Sequence, residues 1–192
     1  MKKDKITIAE ARHILDKYLQ TEYLRLHCRE TEVNMRKLAQ HFGKDEELWG
    51  ITGLLHDLDL DIVKEPYHNH GKKTVELLRE EGYEIPEIFD AILAHTENIP
   101  ETESKRSADF HFVLAAAENI TGLIVAYILM KPDKKIAGTE VKSITKRLKE
   151  KRFAASVNRQ FIYDIEKTGI NINDFIKIAL DAMTEIAEEI KM

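Results

Sequence analysis

The stretch LLHDLDLD, residues Leu54–Asp61, places a histidine and an aspartate directly behind two leucines and adds two more aspartates within four residues. Charged side chains are seldom fully buried unless they are paired or bind a metal ion. The pair His56-Asp57 at the end of an apolar run therefore needs partners from elsewhere in the chain. Its meaning depends on which residues the other segments supply.

Composition limits the classes of protein that are worth considering. The chain has 192 residues, of which 43% are hydrophobic and 33% charged, which suits one domain with a sizeable core. Its single cysteine, Cys28, excludes an intramolecular disulfide and a multi-cysteine metal site, and we predict that it packs within a helix. A net charge of −5 gives no reason to expect nucleic-acid binding. We find no membrane-spanning window and no export signal, so we predict a cytoplasmic protein that contacts no membrane.

Helical periodicity extends along nearly the whole chain, and no period-2 strand pattern of any length is present. Thr7 and Glu10 have the spacing of a capping box, which predicts the start of the first helix. Glycine and proline positions predict the ends of several others. We predict helices over residues 7–20, 22–41, 45–58, 69–81, 86–96, 108–130, 139–152, 156–168 and 173–191. The predicted fold is all-α, with a core over 1–131 and a helical extension over 132–192 that packs on it.

Histidines and acids recur at points where these helices should begin or end. A metal site built without cysteine needs imidazoles and carboxylates. His95 shares a helix face with apolar residues, and Glu118 lies inside an apolar run where a lone carboxylate would be costly. Each residue also has a simpler interpretation, because a single histidine on an apolar face is usually a hydrogen-bonded core residue. Helical spacing alone does not show that these segments meet.

The ordered set of these residues resembles a known family. His27, then His56-Asp57, then His70, His95 and an acid at 118 is similar to the pattern of the HD superfamily of metal-dependent phosphohydrolases. The flanking residues resemble one group of small, stand-alone HD-domain hydrolases. They are LLHDLD at 54–59, HG at 70–71, AILAH at 91–95, AAENITGLI at 116–124, and the segments VKS at 141–143, FA at 153–154 and NR at 158–159. The resemblance implies an HD-domain helical bundle.

The resemblance also implies a ligand set. His27, His56, Asp57 and the acid at 118 would hold one divalent metal, and Asp57 would bridge to a second metal held by His70 and His95. The family pattern has aspartate where this chain has Glu118, which reaches the same metals through a longer arm. The implied cofactor is one or two ions of manganese, iron, cobalt, nickel or zinc. A metal-bound hydroxide would then be the nucleophile, with His56 and Asp57 as the central catalytic pair.

Two further groups are open to more than one interpretation. Asp59 and Asp61 either orient a metal ligand or are solvated loop carboxylates. Residues 134–152 carry eight Lys or Arg against two Glu, and Lys142 and Lys146 share one helix face. These two lysines and Arg159 either form a clamp for substrate phosphate or belong to a solvated surface.

The predicted activity is hydrolysis of a phosphate ester or anhydride in a small molecule, with a nucleotide as the favoured substrate. Two rival functions share the same residues: a diiron oxygenase, and a non-catalytic sensor that binds metal and nucleotide. Metal identity and oxygen consumption separate the oxygenase from the hydrolase, and turnover separates the sensor from both. The sequence also leaves room for a homodimer.

Overall fold

The computed structural model describes residues 2–64, 67–99 and 103–192, and helices account for the regular structure in these ranges. The α-helices are α1 Ile8–Tyr18, α2 Glu22–Phe42, α3 Glu46–Leu55, α4 Lys72–Glu80, α5 Pro86–His95, α6 Asp109–Met130, α7 Val141–Lys149, α8 Arg159–Tyr163 and α9 Ile172–Glu185. A 3₁₀ helix, Asp164–Thr168, joins α8 to the turn before α9. Apart from one isolated bridge between Lys3 and Tyr83, no β-pairing occurs in the described ranges. The predicted all-α class is confirmed.

Local chemistry explains where several helices begin and end. Thr7 and Glu10 form the predicted capping box at the start of α1, and α2 ends at Gly43 in the left-handed conformation (φ 62°). Asn171 caps α9, which was predicted to begin at 173, and its side chain accepts hydrogen bonds from the two N–H groups at 173 and 174. The last helix is also shorter than predicted and ends at Glu185.

The region around the opening motif departs most from the predicted helix bounds. Helix α3 ends at Leu55 rather than at 58, and bonds from residue i to i+3 carry the chain through the following turns. Helix α4 begins at Lys72 rather than at 69, because Asn69 and Gly71 both have positive φ angles, 67° and 77°. The described residues between these helices, 56–64 and 67–71, therefore form turns, which lets successive side chains point to different partners.

Two hydrophobic clusters form the core. One contains α1, α3, α4 and α5, and includes Leu54, Leu55 and the predicted core residue Cys28. The other is centred on α6 and includes Leu38 of α2 and Phe175 of α9. The helices after residue 132 thus contribute to the same hydrophobic cluster as α2 and α6.

Helix α6 corrects one expectation from the sequence. We predicted no segment able to cross a membrane, yet α6 is long and apolar enough to do so by length and composition alone. Its apolar character has a second physical explanation in this fold. Of its most apolar window, 61% is buried, and residues such as Leu114, Ile120 and Ile124 are fully enclosed by neighbouring helices. Core helices that are apolar on all sides have this composition.

Two glycines allow the helices that carry the motif to approach their neighbours closely. A Cβ atom on Gly53 of α3 would lie 2.8 Å from the carbonyl oxygen of Thr31 in α2. A Cβ atom on Gly71 would lie 2.9 Å from Cγ2 of Thr96, just after α5. These contacts leave no room for a side chain, so glycine at both positions brings α2, α3, α4 and α5 together around residues 56 and 57.

Candidate metal centre

Four histidines from four separate segments converge on the carboxylate of Asp57. The Nε2 atoms of His27 and His56 lie 3.6 and 3.3 Å from Oδ2 of Asp57. The Nε2 atoms of His70 and His95 lie 3.3 and 3.5 Å from Oδ1. Each carboxylate oxygen therefore faces two imidazoles, and the ligand atoms form two groups that could each hold a metal ion, with Asp57 common to both.

The second nitrogen of every ring is held by a hydrogen bond. Nδ1 of His56 donates to the carbonyl oxygen of Gly53 at 2.8 Å, and Nδ1 of His95 to that of Ile92. Nδ1 of His70 lies 2.7 Å from Oδ1 of Asp59, and Nδ1 of His27 lies 3.1 Å from the hydroxyl of Thr121. A hydrogen bond at Nδ1 fixes the tautomer that leaves Nε2 with a free lone pair, which is the arrangement of metal-binding histidines.

Burial makes these Nε2 atoms unusual. His56 is fully buried and His95 is 5% exposed, and neither Nε2 has a hydrogen-bond partner among the described residues. A buried polar atom without a partner is costly. The donor set, nitrogen and carboxylate oxygen, suits divalent transition metals. The residues present thus fit a metal centre with two neighbouring positions.

Electrostatics around Asp57 agree with this assignment. Burial opposes ionisation of Asp57, but the charge of His56 and the close approach of the surrounding imidazoles outweigh it and hold its pKa well below the usual range. Burial lowers the pKa of His27 to about 4, against the attraction of Asp57. Burial opposes the change, but the charge of Asp57 raises the pKa of His56, and contacts with Asp57 and Asp59 raise the pKa of His70 to about 10. A metal ion bound here would therefore displace the protons of these two rings.

Asp59 and Asp61, which the sequence left open, have different positions. Asp59 is fully buried, and its carboxylate contacts the His70 ring and accepts hydrogen bonds from the N–H groups of Gly71 and Thr74. Asp59 therefore orients the His70 ring and also caps the start of α4. Asp61 contacts no candidate ligand among the described residues and accepts hydrogen bonds from Gln20 and Thr21, just before α2. Asp61 therefore anchors the start of α2.

Glu118 lies beside the centre without joining either ligand group. It lines the same cavity as Asp57, His70 and His95. Burial raises its pKa to about 8, although the nearby His56 opposes the shift. Its carboxylate accepts a hydrogen bond from the side chain of Asn119, the next residue. Glutamate therefore projects into the metal cavity at this position, but the structure does not bring its oxygens into the set formed by the imidazoles and Asp57.

A cavity of about 650 Å³ opens over the centre. Its floor contains Asp57, His70 and His95, and its walls include Ser156 and Asn158 from the chain before α8. The backbone N–H of Asn158 donates to the side chain of Asn119 at 2.8 Å, which joins this wall to α6. The volume is within the range of small-molecule binding sites.

The predicted phosphate clamp has a different arrangement in the structure. Lys142 is 79% exposed at its side chain and pairs with Glu140 at 2.8 Å, and Lys146 is also exposed. The guanidinium of Arg159 donates to five backbone carbonyls, those of Leu148, Glu150, Phe153, Ala154 and Val157. None of the three side chains is among the described residues that line the metal cavity. Arg159 instead shapes the loop that places Ser156 at the cavity.

Two supporting residues were not predicted from the sequence. Thr121 accepts from His27 and donates to the carbonyl oxygen of Glu118 at 2.7 Å, one helical turn earlier. The Arg106 side chain is 6% exposed, pairs with Glu97 and Asp164, and lies 3.6 Å over the ring of Phe161, a residue of the cavity wall. A threonine within the apolar helix was a weak local signal for the first. The partners of Arg106 are distant in sequence and gave no signal.

Comparison with known proteins agrees with this geometry. A family model described as HD domain matches residues 25–129, more than half of the chain and the span that carries every candidate ligand. The chain therefore belongs to the HD-domain family, and the resemblance seen in the sequence is confirmed. Members of this family are generally metal-dependent hydrolases. No curated protein and no solved structure matches the chain.

Proposed function

We propose that this protein is a metal-dependent phosphohydrolase that cleaves a phosphate ester or anhydride of a small molecule, with a nucleotide as the favoured substrate class. The observation that carries the proposal is the set of four imidazoles arranged in pairs around the two oxygens of Asp57. This set lies at the floor of a cavity large enough for a small substrate. A cytoplasmic location remains part of the same proposal.

Each group of ligands would have its own metal position. His27 and His56 with one oxygen of Asp57 would hold the first ion, and His70 and His95 with the other oxygen would hold the second. Divalent ions held there supply an activated water and positive charge for phosphoryl oxygens. The protein contributes fixed geometry, because every Nδ1 atom is already held by a partner in the fold.

Other residues would act on the substrate rather than on the metals. Asn158 and Ser156 give the cavity wall polar groups for hydrogen bonds to a phosphate ester. Glu118 lies at the same wall, and its raised pKa of about 8 would let it keep a proton near neutral pH and donate a hydrogen bond. The ring of Phe161 offers an apolar surface on the other side.

The direct test begins with metal analysis of protein purified without added metal. A screen for phosphate release over nucleotides and simple phosphate esters then follows, with manganese, cobalt or nickel. We expect bound transition metal and phosphate release that stops on chelation. Iron with oxygen consumption and a mixed-valent signal would indicate the oxygenase, and metal and nucleotide binding without turnover would indicate the sensor.

A further inference from the structure

A second cavity of about 590 Å³ lies next to the metal cavity, between α2 and α6. Tyr23, Leu24 and Ser156 line both cavities. His27, a candidate metal ligand, lines the second cavity as well. The two spaces therefore share a wall and a ligand, so one molecule bound at the metals can extend into the second space.

The lining of this side cavity is mainly apolar. Leu26 of α2, Val125 of α6 and Ile190 near the C-terminus contribute aliphatic side chains. Gly122 adds open volume, because a Cβ atom there would have only an ordinary contact of 3.5 Å with Val157. At the rim, Leu129 is 59% exposed, which is unusual for a large apolar side chain. Apolar surface of this kind is expected at a site that a ligand covers.

One acidic side chain lies within this apolar lining. Glu30 lines the side cavity and is 3% exposed, and no described residue gives it a hydrogen bond or an ion pair. Burial alone raises its pKa to about 8. Burying a carboxyl group without a partner is costly, so retaining one here requires a compensating contact. A ligand with an N–H donor would supply that contact.

Glu32, two residues further along the same helix, shows what a buried glutamate looks like when the protein supplies its partners. It is 1% exposed and forms ion pairs with Arg29 and Arg36 at 3.0 Å each, and with Arg12 at 3.5 Å. Lys134 and Lys191 line the same cavity as Glu30, but neither forms an ion pair with it, and no other described residue does. The contrast indicates that the partner of Glu30 comes from outside the chain.

We propose that the side cavity binds the organic part of the substrate, an aromatic ring with an amino donor that bonds to Glu30. This inference rests on the proposed function, because it places the phosphate of the same molecule at the metals. The ring would lie between the apolar faces of α2 and α6, and its amino group would donate to the Glu30 carboxyl. An amino-substituted nucleobase has this chemistry.

The test measures binding of three molecules without phosphate to the manganese-loaded full chain by calorimetry. They are ribose, purine riboside and adenosine, which add first the ring and then the amino donor. We expect the ring to tighten binding by about tenfold or more through apolar burial. We expect the amino group to add about a further tenfold through its hydrogen bond to Glu30.

Substitutions test which residue produces each of the two gains in affinity, here called the ring step and the amino step. Glu30→Leu should remove the amino step and keep the ring step, and it should not unfold the protein, because it replaces an unpaired buried carboxyl. Gly122→Leu should fill the cavity and remove the ring step. Gly122→Ala is the matched control and should keep both steps, since its Cβ atom fits.

Equal affinity for ribose and adenosine, or an amino step that survives Glu30→Leu, would overturn the inference. These nucleosides carry no phosphate, so the outcome is independent of the hydrolysis screen. A positive binding series without phosphate release would keep the side cavity and refute the hydrolase. Phosphate release without the expected gains in nucleoside affinity would keep the hydrolase and refute the side-cavity proposal.

Discussion

Two buried carboxylates, Asp57 and Glu32, are each surrounded by basic side chains, but the bases differ. Glu32 faces three arginines, which remain charged at any physiological pH. Asp57 faces four imidazoles, which bind metal ions when neutral. The first arrangement can only hold helices together. The second can exchange its protons for metal ions, and so it can carry chemistry.

The two carboxylates also differ in where they lie along their helices. Glu32 lies in the middle of α2, where a permanent ion-pair network links the helix to its neighbours. Asp57 follows the end of α3, where the backbone turns and the side chain reaches a cavity. Glu32 is therefore structural, whereas Asp57 is available to a ligand at the cavity.

The largest expected effect distinguishes these two carboxylates directly. Asp57→Ala should remove bound metal from both positions and abolish phosphate release, because Asp57 is common to both ligand groups. Helical content should stay near that of the wild type, since the helices keep their apolar packing. Metal analysis and circular dichroism make the measurement, and wild-type metal content in this variant would refute the centre.

Glu32→Gln is the matched control. It should keep the metal content and lower the free energy of unfolding by about 1.5–3 kcal/mol, through loss of charge-assisted hydrogen bonds to the arginines. Denaturant unfolding measures this change. A loss of metal in Glu32→Gln would show that the two sites are not independent.

The next-largest effect tests the two proposed metal positions separately. His70→Ala and His95→Ala should each lower the metal content from about two ions per chain toward about one, because both residues face the same oxygen of Asp57. His27 and His56 should still hold the other ion. A wild-type content of one ion, unchanged in both variants, would mean that the centre is mononuclear.

Asp59→Asn should have a smaller effect at the same position. Loss of the carboxylate contact to the His70 ring should weaken metal binding by about 10- to 100-fold without removing a ligand. Competition with a chelator measures the affinity. Asp61→Asn is the control, because Asp61 contacts residues 20 and 21 instead, and it should leave metal affinity unchanged.

Arg159→Ala tests the loop that forms one wall of the metal cavity. We expect a loss of about 1–3 kcal/mol in unfolding free energy, because backbone carbonyls lose a charged donor. Metal content should not change. A wild-type stability in this variant would show that the loop keeps its shape without the guanidinium.

The smallest effects are expected at Lys142 and Lys146. Both are exposed, so Lys142→Ala and Lys146→Ala should change kcat/KM by less than about twofold and stability by less than about 0.5 kcal/mol. A phosphate clamp would instead lower kcat/KM by about 10- to 150-fold. Steady-state kinetics at low salt separates the two outcomes.

The candidate ligands that the structure brings together carry local, ordered information in the sequence, and their role as metal ligands stays a prediction. His56-Asp57 at a helix end, His70-Gly71 before a helix and His95 on a buried face each have a recognisable setting, and the structure brings them to one point. How far each side chain reaches towards its neighbours was less predictable. Glu118 lies at the cavity, but the distance from its carboxylate to the rings could not be read from its place in α6.

The residues of the predicted phosphate clamp show a second limit of the sequence. A positively charged run predicts affinity for anions, but it does not say whether backbone carbonyls already occupy its donors. Arg159 bonds to five carbonyls because the chain folds back on itself between α7 and α8. That path has no periodicity and could not be predicted. The turns between α3 and α4 were missed for the same reason, since their geometry depends on Asp59.

The Asp59 carboxylate links the candidate metal centre to two backbone amide protons whose exchange with solvent can be measured. One of its oxygens contacts the His70 ring, and the other holds the amide protons of Gly71 and Thr74. Exchange of those two protons with deuterated solvent requires the carboxylate to move away. Because a metal ion on His70 would fix the ring and with it the carboxylate, the lifetimes of two backbone protons become a record of how long the neighbouring metal stays in place.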